Sequence, residues 1–112
     1  MDFKYSYRFT EKALQDFDEI LYYISIDLAN PIAAQNIGKK IFEKINNARL
    51  FPDSGVPVNN EFLSNKTVRK LLADNYIIYY KTHYNEKIIS ILRIIYKKRN
   101  LDEILRDILL FN

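Results

Sequence analysis

The chain has 112 residues, of which 48% are hydrophobic and 28% charged, so it is expected to fold as one domain over 1–112 and not to be disordered. It has no cysteine, which excludes disulfides and a thiolate nucleophile. Its one histidine, His83, excludes a multi-histidine metal site. No apolar run reaches the roughly 18 residues of a membrane span, and the N-terminus lacks a signal-peptide pattern. We therefore expect a cytoplasmic protein that needs neither a metal nor a cofactor.

Basic residues are concentrated in the second half of the chain, although the formal net charge is only +3. Between residues 66 and 99 there are nine lysines and arginines but only two acids, Asp74 and Glu86, a local excess of +7. This excess favours an anionic partner, either a nucleic acid or an acidic protein. A solvated basic face without any partner would give the same pattern.

The first predicted elements are a strand and a helix. Aromatic and polar residues alternate from Phe3 to Phe9, which predicts a strand with its aromatic row buried. Thr10 is a suitable N-cap, and apolar residues then recur at spacings of three and four to about Leu28, which predicts an amphipathic helix. Its outer face is expected to be acidic and to comprise Asp16, Asp18, Glu19 and Asp27.

A second helix is predicted from Pro31 to about Phe51. Asn30 is a capping residue, proline is favoured at the first helical position, and Pro52 cannot continue the helix. A link of about two residues makes the helices antiparallel neighbours. The buried stripe is expected to comprise Ala34, Ile37, Ile41, Ile45 and Ala48.

The remaining elements are three strands, at 67–73, 76–82 and 88–96, and a helical segment at about 101–111. Hairpin-length turns make the three strands antiparallel. The order β-α-α-β-β-β-α predicts an α+β fold, in which a helical hairpin packs on one face of an antiparallel sheet of about four strands. The terminal segment is interpreted either as a helix docked on the sheet or as an apolar patch covered by a partner.

Several short pieces, in order and with characteristic gaps, carry a family resemblance: Phe9–Ala13 with Asp16 and Phe17, Asn30 and Pro31 with Ala33 and Ala34, Phe51 and Pro52 with Gly55, Val68–Leu71, Tyr76–Tyr79, and Ile91–Asn100. Together they resemble the RelE/ParE superfamily of type II toxin–antitoxin toxins, from about Tyr5 to Asp102. The resemblance implies a growth-inhibiting bacterial toxin. Its partner would be a small antitoxin that joins an acidic segment to a DNA-binding half.

Two branches of the superfamily differ in their targets. RelE-like toxins cut messenger RNA on the ribosome, whereas ParE-like toxins poison DNA gyrase. This sequence is more similar to the ParE-like branch, because Tyr76 stands where RelE-like members usually have arginine and Leu92–Asn100 resembles the closing strand of ParE. The resemblance therefore implies gyrase poisoning. The alternatives are a ribosome-dependent endoribonuclease that needs no metal, and a non-toxic module that binds protein or nucleic acid.

The candidate site residues are cations of the C-terminal strands. Metal-free RNA cleavage needs cations to stabilise the phosphorane, together with an acid and a base. The candidates for that chemistry are Arg69, Arg93, Lys97 and Arg99 as cations, Tyr96 as an acid or stacking platform, and Glu61 as a base. Binding of a target or an antitoxin would use overlapping residues, namely Arg69, Lys70, Arg93, Lys97, Lys98 and Arg99.

These cations are expected to lie together on the sheet face away from the helical hairpin. Arg69 and Arg93 occupy positions inside apolar strands, so each either reaches an open sheet face or pairs with Asp74 or Glu86. His83 is expected to be an exposed hairpin residue without a role.

Overall fold

The computed structural model describes residues 3–58, 68–99, 105, 106 and 108. The elements are, in chain order, β1 (Ser6–Phe9), α1 (Glu11–Tyr22), a π-helical segment (Tyr23–Asp27), α2 (Pro31–Leu50), β2 (Val56–Pro57), β3 (Val68–Ala73), β4 (Tyr76–His83) and β5 (Ile88–Tyr96). The α+β class and the helical hairpin are confirmed. The helical prediction at 101–111 lies largely outside the described residues, but Leu105, Arg106 and Ile108 are helical.

Side-chain caps begin both long helices. The Thr10 hydroxyl accepts a hydrogen bond from the Ala13 amide, and the Asn30 side-chain oxygen accepts one from the Ala33 amide, each at 3.1 Å. Each cap satisfies one of the amides that a helix start leaves without an intrahelical partner. Beyond α1 the chain continues through the π-helical segment to a turn at Ala29, and Leu28, which was expected in the buried stripe, is exposed.

The sheet is mixed and has five strands in the order β1-β5-β4-β3-β2. Two details of the predicted sheet are therefore wrong. The two-residue strand β2, in the loop after α2, is additional to the four predicted strands, and β1 runs parallel to β5 rather than antiparallel. Short turns dictate the direction of β3, β4 and β5, whereas two helices separate β1 from the later strands, so packing decides its neighbour and its direction.

Apolar clusters cover both faces of the sheet. On the hairpin side, the fully buried residues are Ile41, Ile45, Ile78, Tyr80, Ile89, Ile91 and Ile94, together with smaller neighbours. On the opposite side, Leu105 and Ile108 pack against Ile77, Tyr79, Leu92 and Ile95. These two residues behave as the docked-helix interpretation predicts. Within the described part of the chain, no helix has both the length and the apolar character that crossing a bilayer requires.

The apolar stripe of α2 can be tested at two isoleucines of the same helix. Ile41 is 0% exposed and Ile32 is 71% exposed. Ile41→Asp should unfold the domain, because an unpaired buried carboxylate costs several kcal/mol and a domain of this kind has only about 5–15 kcal/mol of stability. Ile32→Asp should remain folded. Thermal unfolding followed by circular dichroism measures both variants, and a folded Ile41→Asp protein would contradict the packing described here.

Candidate functional site

Arg93 is a buried partner of the first helix. Its Nε donates to Asp16 Oδ2 at 2.7 Å and its Nη2 donates to Asp16 Oδ1 at 3.0 Å. The two residues are only 4% and 7% exposed. This two-pronged contact uses one whole edge of the guanidinium. Arg93 was expected on the sheet face away from the hairpin, or paired with Asp74 or Glu86, and both expectations are wrong.

An irregularity in β5 explains the direction of Arg93. Tyr79 pairs with Arg93 and Tyr80 pairs with Ile91, so β5 has one more residue than β4 at this point. The extra residue changes the alternation of side chains. Ile91 therefore belongs to the cluster under the hairpin, whereas Ile95 belongs to the opposite cluster, and Arg93 between them reaches α1.

Arg69 holds the loop that leaves α2. Its Nη1 donates to the backbone oxygens of Gly55 and Asp53 at 2.8 and 3.2 Å. The Tyr80 hydroxyl donates to the Pro52 oxygen and accepts from the Gly55 amide. An added Cβ at Gly55 would lie 2.5 Å from that hydroxyl, so this close approach requires glycine. Arg69 therefore lies on the hairpin side of the sheet, not on the predicted face.

The basic run, defined as Lys97, Lys98 and Arg99, is exposed beyond the end of β5. Backbone bonds hold the chain there, because the Lys97 amide donates to Asn75 and the Arg99 amide donates to Tyr96. Asp74, in the adjacent turn, is paired with Lys40 at 2.9 Å. Within the described part of the chain, no ion pair involves the basic run, so its three charges face solvent.

A groove of about 590 Å³ lies beside the basic run. The C-terminal half of α1 and the π-helical segment form one wall, and the ends of β4 and β5 form the other. We call it the tyrosine groove after Tyr23, Tyr76 and Tyr96; its other lining residues are Asp16, Glu19, Ile20, Ile24, Leu28, Ile94, Ile95 and Arg99. Apolar and aromatic side chains line most of it, with Asp16, Glu19 and Arg99 as charged groups.

The Tyr76 phenol lies in the tyrosine groove and is protonated at neutral pH. Its ring lies edge-on to that of Tyr96, with the centroids 5.8 Å apart. Burial, and secondarily the neighbouring phenols of Tyr96 and Tyr23, raise the pKa of Tyr76 above its ordinary value. The phenol therefore keeps its proton at neutral pH and can donate to an acceptor placed in the tyrosine groove.

The predicted cations do not form one cluster. Tyr96, Lys97 and Arg99 lie together at the end of β5. Arg69 is near the start of β3, where it pairs with Tyr80 of β4. Lys97 instead contacts Asn75, in the turn that joins the other ends of these two strands. Lys70 is half-buried on β3, and Glu61 lies outside the described residues. The described residues include no group of three or more metal-binding side chains.

Replacing one or both members of the buried pair tests whether Arg93 is structural. Asp16 also accepts the Ile94 amide at 3.0 Å, and an asparagine oxygen could keep that bond. Asp16→Asn leaves the guanidinium uncompensated and should lower the free energy of unfolding by about 3–5 kcal/mol. The double variant with Arg93→Met removes the buried charge and should recover part of that loss. Asp18→Asn, at an exposed position of α1, is the matched control.

Denaturant unfolding of the four proteins measures these free energies. A double variant less stable than Asp16→Asn, or an Asp16→Asn protein as stable as the parent, would contradict a structural role for Arg93.

Comparisons with known proteins agree with this architecture. A chain from the chromosomal ParDE toxin–antitoxin system of P. aeruginosa is 24% identical, with a TM-score of 0.62 over 83% of this chain and 96% of that chain. A chain of the RelBE2 toxin–antitoxin complex of Mycobacterium tuberculosis is 18% identical, with a TM-score of 0.56 over 83% and 98%. A chain of the RelE–RelB complex of Pyrococcus horikoshii is 13% identical, with a TM-score of 0.58 over 87% and 99%.

These structures, at such low identities, establish the shared fold. No curated protein matches the chain significantly. Residues 7–101 match the family described as the ParE toxin of the type II toxin–antitoxin system parDE. This match spans most of the chain, which therefore belongs to the ParE toxin family of type II toxin–antitoxin systems.

Proposed function

We propose that this toxin acts on DNA gyrase in the cytoplasm and that a cognate antitoxin neutralises it through an acidic segment. The observation that carries the choice of gyrase over messenger RNA is the placement of the two strand arginines. Arg93 is buried against Asp16, and Arg69 donates to the backbone of the loop after α2. The membership of the ParE toxin family supports the same choice.

A metal-free ribonuclease needs cations aimed at the phosphate that is being cleaved. A positioned cation of this kind is worth about a hundredfold or more in rate, and it must be free to contact the substrate. Arg93 cannot supply that contact without breaking a buried ion pair. Of the catalytic candidates that the structure describes, only Tyr96, Lys97 and Arg99 remain directed towards solvent, which suits a binding surface better than a complete catalytic set.

The tyrosine groove and the basic run together suit an antitoxin segment of particular composition. The groove offers aromatic and aliphatic walls for apolar anchors, and the basic run beside it offers three positive charges. A segment that alternates apolar and acidic residues complements both, and it orders when it binds. Two of the similar structures, the RelBE2 complex of Mycobacterium tuberculosis and the RelE–RelB complex of Pyrococcus horikoshii, contain a bound partner, and they support a partner of this kind.

Purified gyrase and a translation system distinguish the two targets. With gyrase, ATP and supercoiled plasmid, the toxin should trap cleaved DNA, and cells that express it without an antitoxin should filament and induce a DNA-damage response. Messenger RNA should stay intact in primer-extension assays. Cleavage between codons of translated messages, with no effect on gyrase, would overturn the proposal in favour of the ribonuclease.

Charge reversal tests the basic run. The triple variant Lys97→Glu, Lys98→Glu, Arg99→Glu should lose growth arrest and bind the antitoxin more weakly, with a smaller dependence on salt. The control reverses three exposed lysines elsewhere, Lys4, Lys12 and Lys39, and so makes the same change in net charge. Alanine at Lys97 or Lys98 alone should cost under about 1 kcal/mol of binding. Equal toxicity and equal antitoxin affinity in both triple variants would remove the basic run from the proposed site.

A further inference from the structure

A second basic site lies on the sheet face away from the hairpin, at the other end of the strands from the basic run. Three neighbouring strands bring Arg8, Ser90 and Lys81 into one row, because Arg8 pairs with Ser90 across β1 and β5, and Ser90 pairs with Lys81 across β5 and β4. Adjacent strands are about 4.8 Å apart, so the two cations flank the serine at close range. His83 lies two residues further along β4.

The row forms a cavity because its central residue is small. Ser90 is 3% exposed and makes the floor, while Arg8 and Lys81 rise on either side. The cavity has a volume of about 290 Å³ and is also lined by Thr10, His83 and Leu92. It shares no lining residue with the tyrosine groove.

Hydrogen bonds orient the basic groups around the buried hydroxyl. Arg8 Nε donates to Ser90 Oγ at 2.9 Å, and His83 Nε2 lies 3.0 Å from the same oxygen. His83 is therefore half-buried and engaged, which corrects the expectation of an exposed residue without a role. The contact occupies only Nε of Arg8 and leaves the two terminal nitrogens of its guanidinium available to a ligand.

The two cations of this row have no acidic partner among the described residues, because none of the ion pairs found there includes Arg8 or Lys81. No carboxylate lines the cavity either. Two positive charges held on opposite sides of a small cavity repel each other, and a bound anion would relieve that repulsion. The lining residues include no tyrosine, phenylalanine or tryptophan on which a base could stack.

We propose that Arg8, Lys81 and His83, arranged around Ser90, form a binding site for a phosphate monoester. A monoester is close to a dianion at neutral pH, since its second pKa is about 6, and so matches two cations, whereas a phosphodiester carries a single charge. The ligand is recognised through its phosphoryl group, because the cavity offers donors but no stacking surface. The site is separate from the surface assigned to gyrase and antitoxin, so either assignment can fail alone.

Calorimetric titration at low ionic strength tests the site with ribose 5-phosphate, inorganic phosphate and dimethyl phosphate as probes. Ribose 5-phosphate and inorganic phosphate should bind with dissociation constants on the order of 1 mM, because so small a ligand makes few contacts. Dimethyl phosphate should bind about tenfold more weakly. Amide NMR shifts should move at Arg8, His83 and Ser90. Equal binding of the diester, or no saturable binding of the monoester, would overturn the proposal.

Variants that keep the aliphatic stems but remove the charges locate the ligand. Arg8→Met and Lys81→Met should each weaken ribose 5-phosphate binding about tenfold. Lys39→Met, on the exposed face of α2, is the control and should bind like the parent protein. Thermal unfolding of each protein verifies that it is folded. Unchanged affinity in both folded Arg8 and Lys81 variants would place any phosphate binding elsewhere and contradict the assignment.

Discussion

The carboxylate of Asp16 joins the helical hairpin to the central part of the sheet. β1 ends at Phe9, opposite Ile91, so the part of β5 after Ile91 has no neighbouring strand on that side. Beyond that point, side chains at the cap and in the first half of α1 bond to the backbone of β5. The Thr10 hydroxyl donates to the Leu92 oxygen, and the Asp16 carboxylate accepts from the Ile94 amide. The same carboxylate holds the guanidinium of Arg93. Backbone groups that would otherwise be buried without partners are thereby satisfied.

This arrangement determines which cations are available for function. The fold uses Arg93 for the helix–sheet junction and Arg69 for the loop after α2, and Lys40 neutralises Asp74 at the turn before β4. Among the described residues, two groups of clustered cations outside these contacts lie in separate places. The basic run is at one end of the strands beside the tyrosine groove, and the row of Arg8 and Lys81 is at the other end on the opposite face.

The site is only partly predictable, because the pattern of acidic residues places Asp16 on the outer face of the first helix, whereas the structure buries it. Asp16 follows Ala13 by three residues and precedes Ile20 by four, so helical spacing puts it on the same stripe as the buried residues Ala13 and Ile24. An acid on an apolar stripe is buried with a partner or with hydrogen bonds. That spacing could have identified a buried carboxylate, but nothing in it specifies Arg93, which is 77 residues away.

Local physical chemistry in the sequence determined the helix starts, the hairpin of two helices, the strands at 68–73, 76–83 and 88–96, the buried stripe of α2 and the basic run. Each depends on spacing, capping or turn residues that act over a few positions. Only the tertiary structure decided the parallel pairing of β1, the extra residue in β5 and the partners of Arg69 and Arg93. These depend on contacts between distant segments, and one extra residue in a strand reverses the facing of every side chain that follows it.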